Sequence, residues 1–287
     1  MAPQQPESSA PWPVAMTDAP QFEVIPLPGV AEEAARQLPA GSRVTVTASG
    51  RHGLEATLAT ARELSSLGFT AIPHLAARQV PGESALETIL TGLESDGIGE
   101  VFVIAGDAAE PAGSFTGASD LLAAMAGTAH GFTVGVGAHP EGHPFVDEEE
   151  AIRLLQEKAA TASYLVTQMC FSAQPLLRWT RQVREHGIEL PVRPGVAAPT
   201  GMKRLLRIAG KVGVGPSLRL LGSHRSGIRH LLGPGSWSPD ALLTELAPAF
   251  EDPALRLEGL HVYTFNSLET TGTWWARQSP EQRRPAS

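Results

Sequence analysis

The sequence has a single cysteine, Cys170, among its 287 residues. One thiol cannot form an intrachain disulfide, and there is no group of cysteines that could hold a structural zinc ion. No continuous apolar stretch approaches the roughly 20 residues needed to span a bilayer. These absences exclude a disulfide-stapled secreted domain and a membrane-spanning protein. We therefore expect a cytoplasmic chain with no membrane partner and no bound metal.

Positive charge is also scarce, because 22 Lys and Arg face 30 Asp and Glu and the net charge is −8. An acidic chain is a poor match for a phosphate backbone, which argues against nucleic acid as a partner. A hydrophobic content of 42% is enough to fill a large core. The first 20 residues are proline-rich and have no basic start or apolar run, so we predict a disordered leader over 1–20 and a flexible tail over 279–287.

Eight short runs of β-branched and apolar residues recur along the rest of the chain. These runs are FEVI from Phe22, RVTVTA from Arg43, FTAIPHL from Phe69, EVFVIAG from Glu100, FTVGVGA from Phe132, SYLVTQ from Ser163, ELPVRPGV from Glu189 and LHVYTFN from Leu260. They alternate with segments of helical periodicity and read as buried parallel strands. The pattern predicts an α/β (β/α)8 TIM barrel in one domain over 21–278, with an extra helix before the last strand. A doubly wound open sheet is the alternative.

Common catalytic and nucleotide-binding motifs are missing. The sequence contains no complete dinucleotide fingerprint, no phosphate-binding loop and no nucleophile elbow of the G-x-S-x-G type. His139 and His143 are four residues apart, but Pro140, Gly142 and Pro144 place them in a loop rather than on one helix face. A metal site is therefore not predicted there.

Polar residues stand at the ends of most predicted strands. Glu23 lies inside the first apolar run, and the others that end or follow strands are Thr47, His74, Asp107, His139, Gln168, Tyr263 and Asn266. Each alone is more simply a satisfied structural group. Because barrel enzymes place their chemistry at the carboxyl ends of the strands, the whole set predicts one shared concave site.

The same residues form motifs that resemble those of the methylenetetrahydrofolate reductase family. The matching segments are Phe22-Glu23, Pro73-His74-Leu75, Gly106-Asp107, Pro140-Glu141-Gly142-His143-Pro144, Thr167-Gln168, Pro194-Gly195 and Tyr263-Thr264-Phe265-Asn266. They occur in the family's order and cover roughly residues 21–270. The combination of PEGHP, TQ and YTFN is what makes the resemblance specific.

The resemblance implies a barrel that reduces 5,10-methylenetetrahydrofolate to 5-methyltetrahydrofolate with NADH or NADPH, in most members through FAD. By position, Glu23 is similar to the general acid that opens the folate's five-membered ring. An apolar surrounding disfavours an ionised carboxyl group, as a proton donor near neutral pH requires. Asp107 is similar to a catalytic aspartate on the pterin, and Gln168 to a glutamine that binds the folate. The positions that resemble the flavin pocket are Thr47, His74, His139, His143, Lys158 and Tyr263.

Three positions depart from the family pattern on the side of the flavin. Ala105 and Ser267 stand where the family usually has arginine, and His139 stands where it usually has tyrosine. The loss of a guanidinium removes a charge-assisted contact to a diphosphate. We therefore expect FAD to bind weakly or not at all, with nicotinamide passing its hydride directly to the folate.

Two other functions on the same scaffold stay open. One is a tetrahydrofolate-dependent methyltransferase or demethylase, which needs no reductant, and the other is a barrel that binds folate without chemistry. The resemblance also allows a homo-oligomer.

Overall fold

The computed structural model of the protein describes residues 12–48, 50, 52–142, 146–211 and 236–278. Eight parallel strands close a barrel in the order β1-β2-β3-β4-β5-β6-β7-β10 and back to β1. The barrel strands are β1 (Gln21–Val24), β2 (Arg43–Val46), β3 (Thr70–Ala76), β4 (Glu100–Ile104), β5 (Thr133–Ala138), β6 (Tyr164–Met169), β7 (Val192–Ala197) and β10 (His261–Tyr263). The predicted TIM barrel is confirmed, and the open sheet is excluded.

Helices cover the outside of the barrel. They are α1 (Val14–Thr17), α2 (Val30–Gln37), α3 (Gly53–Ser66), α4 (Glu83–Ser95), α5 (Ala118–Ala126), α6 (Glu148–Ala159), α7 (Ala173–Glu185), α8 (Met202–Lys211), α9 (Asp240–Leu246) and α10 (Leu268–Ala276), with short 3₁₀ turns at Ala77–Gln79 and Ala247–Glu251. No helix in these described ranges is long and apolar enough to cross a membrane.

The alternation of side chains along each strand separates the helix-facing core from the barrel interior. In β1, Phe22 is fully buried and meets the ring of Trp275 on α10 edge-on, with ring centroids 5.5 Å apart. Neighbouring residues of a strand point to opposite faces, so Gln21 and Glu23 point into the barrel. The charged residue in the first apolar run is therefore an interior residue.

A layer of polar side chains fills the barrel at the amino-terminal ends of the strands. Gln21 donates to Thr45 Oγ1 at 2.6 Å, and Arg43 forms an ion pair with Glu100. The guanidinium groups of Arg43 and Arg193 lie 5.9 and 5.6 Å from the centre of the Tyr164 ring. This layer fills the amino-terminal end of the barrel. The carboxyl ends of the strands are therefore the open side.

The connection from β7 to β10 carries the additional elements. The predicted extra helix is present as α8, ahead of α9. Two short antiparallel strands, β8 (Thr200–Gly201) and β9 (Ser236–Trp237), join the ends of this connection. This antiparallel pair was not predicted, because two-residue strands carry no readable periodicity.

The predicted leader needs a correction over residues 12–20. Trp12 and Met16 are 7% and 0% exposed, and Trp12 packs against Trp274 at 6.3 Å. The backbone of α1 also accepts a hydrogen bond at Ala15 from Gly259, at 2.7 Å. The apolar side chains of α1 thus bind it to the barrel, so the prediction of disorder was wrong there. Residues 1–11 and the predicted tail lie outside the described residues.

Candidate functional site

Glu23 lies between two histidines inside the barrel. The pairing of β1 with β10 and the position of β3 two strands away bring both imidazoles to the same carboxylate oxygen. Glu23 Oε2 is 3.3 Å from His261 Nε2 and 3.8 Å from His74 Nε2. The Glu23 side chain is 17% exposed, whereas His261 is 1% exposed. The Glu23 carboxyl group is thus partly accessible at the carboxyl ends of the strands, and the buried His261 contacts it from inside the barrel.

His74 is a neutral member of this cluster. Burial lowers its pKa to about 4, and this effect outweighs the attraction of the Glu23 charge, which acts in the opposite direction. Its ring packs on Phe102 with centroids 4.7 Å apart. The structure places His74 beside Glu23, and its place in a flavin pocket stays a prediction.

His261 is the site residue that the sequence analysis missed. It precedes Tyr263 by two positions, so both side chains point to the barrel interior, and their rings meet at 4.6 Å. Its Nδ1 is buried without a hydrogen-bond partner. The readable signal was the period of two in LHVYTFN, which gives this histidine the same orientation as the predicted tyrosine.

The YTFN segment mainly joins the last strand to the first. Thr264 Oγ1 donates to the carbonyl of Glu23 at 2.6 Å. Asn266 accepts from the amide of Ile25 at 2.8 Å and donates to its carbonyl at 2.9 Å. Asn266 therefore joins the ends of the last and first strands.

Tyr263 uses its hydroxyl within the protein. It donates to the carbonyl of Thr167 at 3.0 Å. Burial, with a smaller contribution from the charge of Glu23, raises the pKa of Tyr263 well above 10, so the phenol stays neutral. Tyr263 thus contributes a ring beside the Glu23 cluster.

The predicted folate-binding residues stand at the carboxyl ends of other strands. Asp107 follows β4 and is exposed, with Oδ1 3.2 Å from the point that a Cβ on Gly50 would occupy. Gln168 in β6 accepts from the amide of Met169 at 2.8 Å, which orients its side-chain amide. Thr47 follows β2 and donates its amide to Val24 at 2.9 Å. These three residues share the open side of the barrel with Glu23.

A second group of predicted residues lines a cavity of about 180 Å³ at the ends of β4 and β5, and its wall includes Ala105, His139 and Lys158. Lys158 on α6 donates to the carbonyl of Gly137 at 3.5 Å, and burial lowers its pKa. The predicted residue His143 lies outside the described residues. The described residues hold no group of three or more His, Cys, Asp or Glu that could bind a metal.

Arginines from other elements lie beside two of the positions that depart from the family. Arg204 on α8 donates to Ser267 Oγ at 2.7 Å and also to the carbonyl of Phe265. Arg78 donates from its amide to the carbonyl of Ala105 at 3.0 Å, and its guanidinium binds carbonyls in the loop after β4. The guanidinium of Arg204 thus lies beside Ser267, whereas the guanidinium of Arg78 is hydrogen-bonded to the loop after β4.

Glu141 in the PEGHP segment is a buried carboxylic acid. Both of its carboxyl oxygens are buried, and neither has a hydrogen-bond partner among the residues that the structure describes. Burial raises the pKa of Glu141 from 4.5 to about 7. The folded state therefore favours the protonated form.

We expect the Glu141→Gln variant to gain stability over the parent protein as the pH rises. A carboxyl group whose pKa is raised on folding contributes its full stability below pH 4.5 and loses it as the pH passes about 7. After allowance for solvent screening of this half-buried residue, the relative gain is about 1–2 kcal/mol. Urea unfolding at both ends of this pH window measures it. Glu185→Gln, at an exposed position, is the control, and an equal pH dependence in both variants would contradict the assignment.

Comparison with known proteins identifies the family. The family model for methylenetetrahydrofolate reductase matches residues 28–216, which include Asp107, Lys158 and Gln168 but neither Glu23 nor His261. Methylenetetrahydrofolate reductase 2 of Saccharomyces cerevisiae is 27% identical over 50% of this chain and 26% of its own length. The 5,10-methylenetetrahydrofolate reductase of Escherichia coli is 29% identical over 50% of this chain and 48% of its own. The aligned part thus spans half or less of these curated relatives.

A solved structure supports the fold independently. An uncharacterized protein from Clostridium thermocellum that binds two copies of 5-methyl-5,6,7,8-tetrahydrofolic acid superposes with a TM-score of 0.61. It is 10% identical, and the match covers 92% of this chain and 97% of that one. The structural likeness supports the fold, and the match of the family model to residues 28–216 shows that the chain belongs to the methylenetetrahydrofolate reductase family.

Proposed function

We propose that this protein reduces 5,10-methylenetetrahydrofolate to 5-methyltetrahydrofolate, with NADH or NADPH as the source of hydride. The observation that carries the proposal is the Glu23 carboxyl, held inside the barrel by His261 and partly open to the carboxyl ends of the strands. A proton donor in that position is what ring opening of the substrate needs.

The reaction divides between Glu23 and the residues at the open side. Glu23 gives its proton to the bridging nitrogen of the folate, and the electron pair of the breaking carbon–nitrogen bond stays on that nitrogen. The carboxylate of Asp107 stabilises the positive iminium that forms. Gln168 binds the pterin, because an amide can donate and accept together. Hydride addition to the iminium carbon then yields the methyl group.

The residues matched to the flavin pocket do not fit a bound flavin well. His74 faces Glu23, and the hydroxyl of Tyr263 is taken by the carbonyl of Thr167. Lys158 is buried against Gly137, away from the Glu23 cluster on a different pair of strands. Arg204 could still meet a phosphate near Ser267. We assign no step to FAD and infer that nicotinamide transfers its hydride directly, with the reacting atoms about 3–3.5 Å apart.

We expect the purified protein to oxidise NADH or NADPH with methylenetetrahydrofolate while showing no flavin absorbance. The physical reason is that side chains predicted to contact the flavin, such as Tyr263 and Lys158, form hydrogen bonds within the protein instead. A visible spectrum, followed by the same assay after denaturation and refolding without flavin, measures both. Stoichiometric yellow flavin, with activity lost on its removal, would reject direct transfer but not the reductase itself.

A barrel that binds folate without chemistry is the second candidate. It is favoured by the structural neighbour from Clostridium thermocellum, which binds 5-methyl-5,6,7,8-tetrahydrofolic acid. Calorimetric folate binding without any oxidation of reduced nicotinamide would support it over reduction. Methyl transfer in the absence of nicotinamide would instead indicate the methyltransferase.

A further inference from the structure

The two oxygens of the Glu23 carboxyl are in different environments. Oε2 lies within hydrogen-bond distance of His261 Nε2 at 3.3 Å. The corresponding distance to His74 Nε2 is 3.8 Å, which is too long for a hydrogen bond. His261 is thus the group that can fix the carboxyl plane.

The tautomer of His261 follows from its buried atoms. Nδ1 has no hydrogen-bond partner, and an orphaned buried N–H is rarer in proteins than an orphaned acceptor. The proton therefore belongs on Nε2, which donates it to Glu23. In this tautomer the group that lacks a hydrogen bond is the lone pair of Nδ1, and no buried N–H is left without an acceptor.

Among the described residues, no second imidazole lies within hydrogen-bond distance of the Glu23 carboxyl. The titratable groups that face it are His74 from β3 and His261 and Tyr263 from β10, while β2 presents Thr45. His74 is neutral because burial lowers its pKa to about 4, and the hydroxyl of Tyr263 points to Thr167. Stabilisation of an ionised Glu23 thus depends on His261.

We propose that His261 is a positioning residue for the general acid, an inference that rests on the proposed reductase function. The Nε2–H group holds Oε2, which leaves Oε1 as the oxygen that carries the proton toward the substrate. After that proton has moved to the folate nitrogen, the same hydrogen bond stabilises the new carboxylate.

Two substitutions of His261 separate positioning from packing. His261→Leu removes the donor, whereas His261→Gln places an amide N–H near the position of Nε2. His186→Gln is the control, because His186 is exposed and caps the carboxyl end of α7, at the amino-terminal side of the barrel. Folate binding and circular dichroism check that each variant is folded.

For His261→Leu we expect kcat to fall about tenfold, with folate KM nearly unchanged. His261→Gln should restore most of kcat. An active parent whose kcat is unchanged in His261→Leu would overturn the role of His261 alone. If the parent itself is inactive, the reductase proposal fails, and carbon NMR of the Glu23 carboxyl decides the hydrogen bond: its resonance shifts in His261→Leu if the bond exists and stays in place if it does not.

Discussion

Replacement of Glu23 by glutamine is expected to lower kcat by about 10³-fold while folate affinity changes by only a few-fold. Glutamine has the shape of the acid and can still meet His261, but it has no proton to give to the folate nitrogen. The loss should therefore appear in the chemical step and not in binding. Single-turnover oxidation of reduced nicotinamide and calorimetric folate binding measure the two separately.

The matched control is Glu185→Gln, at the exposed end of α7, which should keep the parent rate. Unchanged turnover in Glu23→Gln would place the acid elsewhere. A parallel loss of binding and turnover would mean that Glu23 holds the substrate instead of protonating it.

Addition of one methyl group at Gly195 is expected to cost about 3 kcal/mol of unfolding free energy or more. A Cβ at this position would lie 2.2 Å from the carbonyl oxygen of Thr167 and 2.8 Å from the Tyr263 ring. The first contact is with backbone, so β6 and β7 must separate. The backbone amide of Gly195 also donates a hydrogen bond to Thr167 Oγ1 at 2.8 Å.

Gly137→Ala in β5 is the matched control for Gly195→Ala. No atom lies within 4 Å of the Cβ that it would add, so we expect a change of less than about 1 kcal/mol. Urea unfolding of both variants measures the difference. Similar stabilities would show that β6 and β7 can move apart at little cost. Tyr263 would shift with Thr167, so reduced turnover is also expected in Gly195→Ala.

The sequence was sufficient for the barrel because its strands are buried on both faces and are therefore apolar throughout. Against that background Glu23 stood out as a charge inside an apolar run. The contact of Glu23 with His261 could not be read in the same way, because it depends on the register between β1 and β10, which lie 238 residues apart at this pair. Local patterns do not determine the register of distant strands.

Short elements were the other source of error. Helix α1 has only four residues, which is too short for a helical pattern of apolar residues to show in the sequence. The burial of Trp12 depends on its contact with Trp274, which is distant in the sequence. The roles of Asp107 and Gln168 stay predictions, because their positions at the strand ends are compatible with folate binding and no ligand contact tests them.

The pairing of β1 with β10 has a consequence for how the protein is made. Because the ribosome makes the chain from its amino terminus, the barrel can close only after β10 has left the exit tunnel, long after β1. Glu23 is synthesised early, whereas His261 is added only when β10 is made. The acid and its partner therefore come together only when the barrel closes, and a nascent or truncated chain that lacks β10 has the carboxyl group without the imidazole beside it.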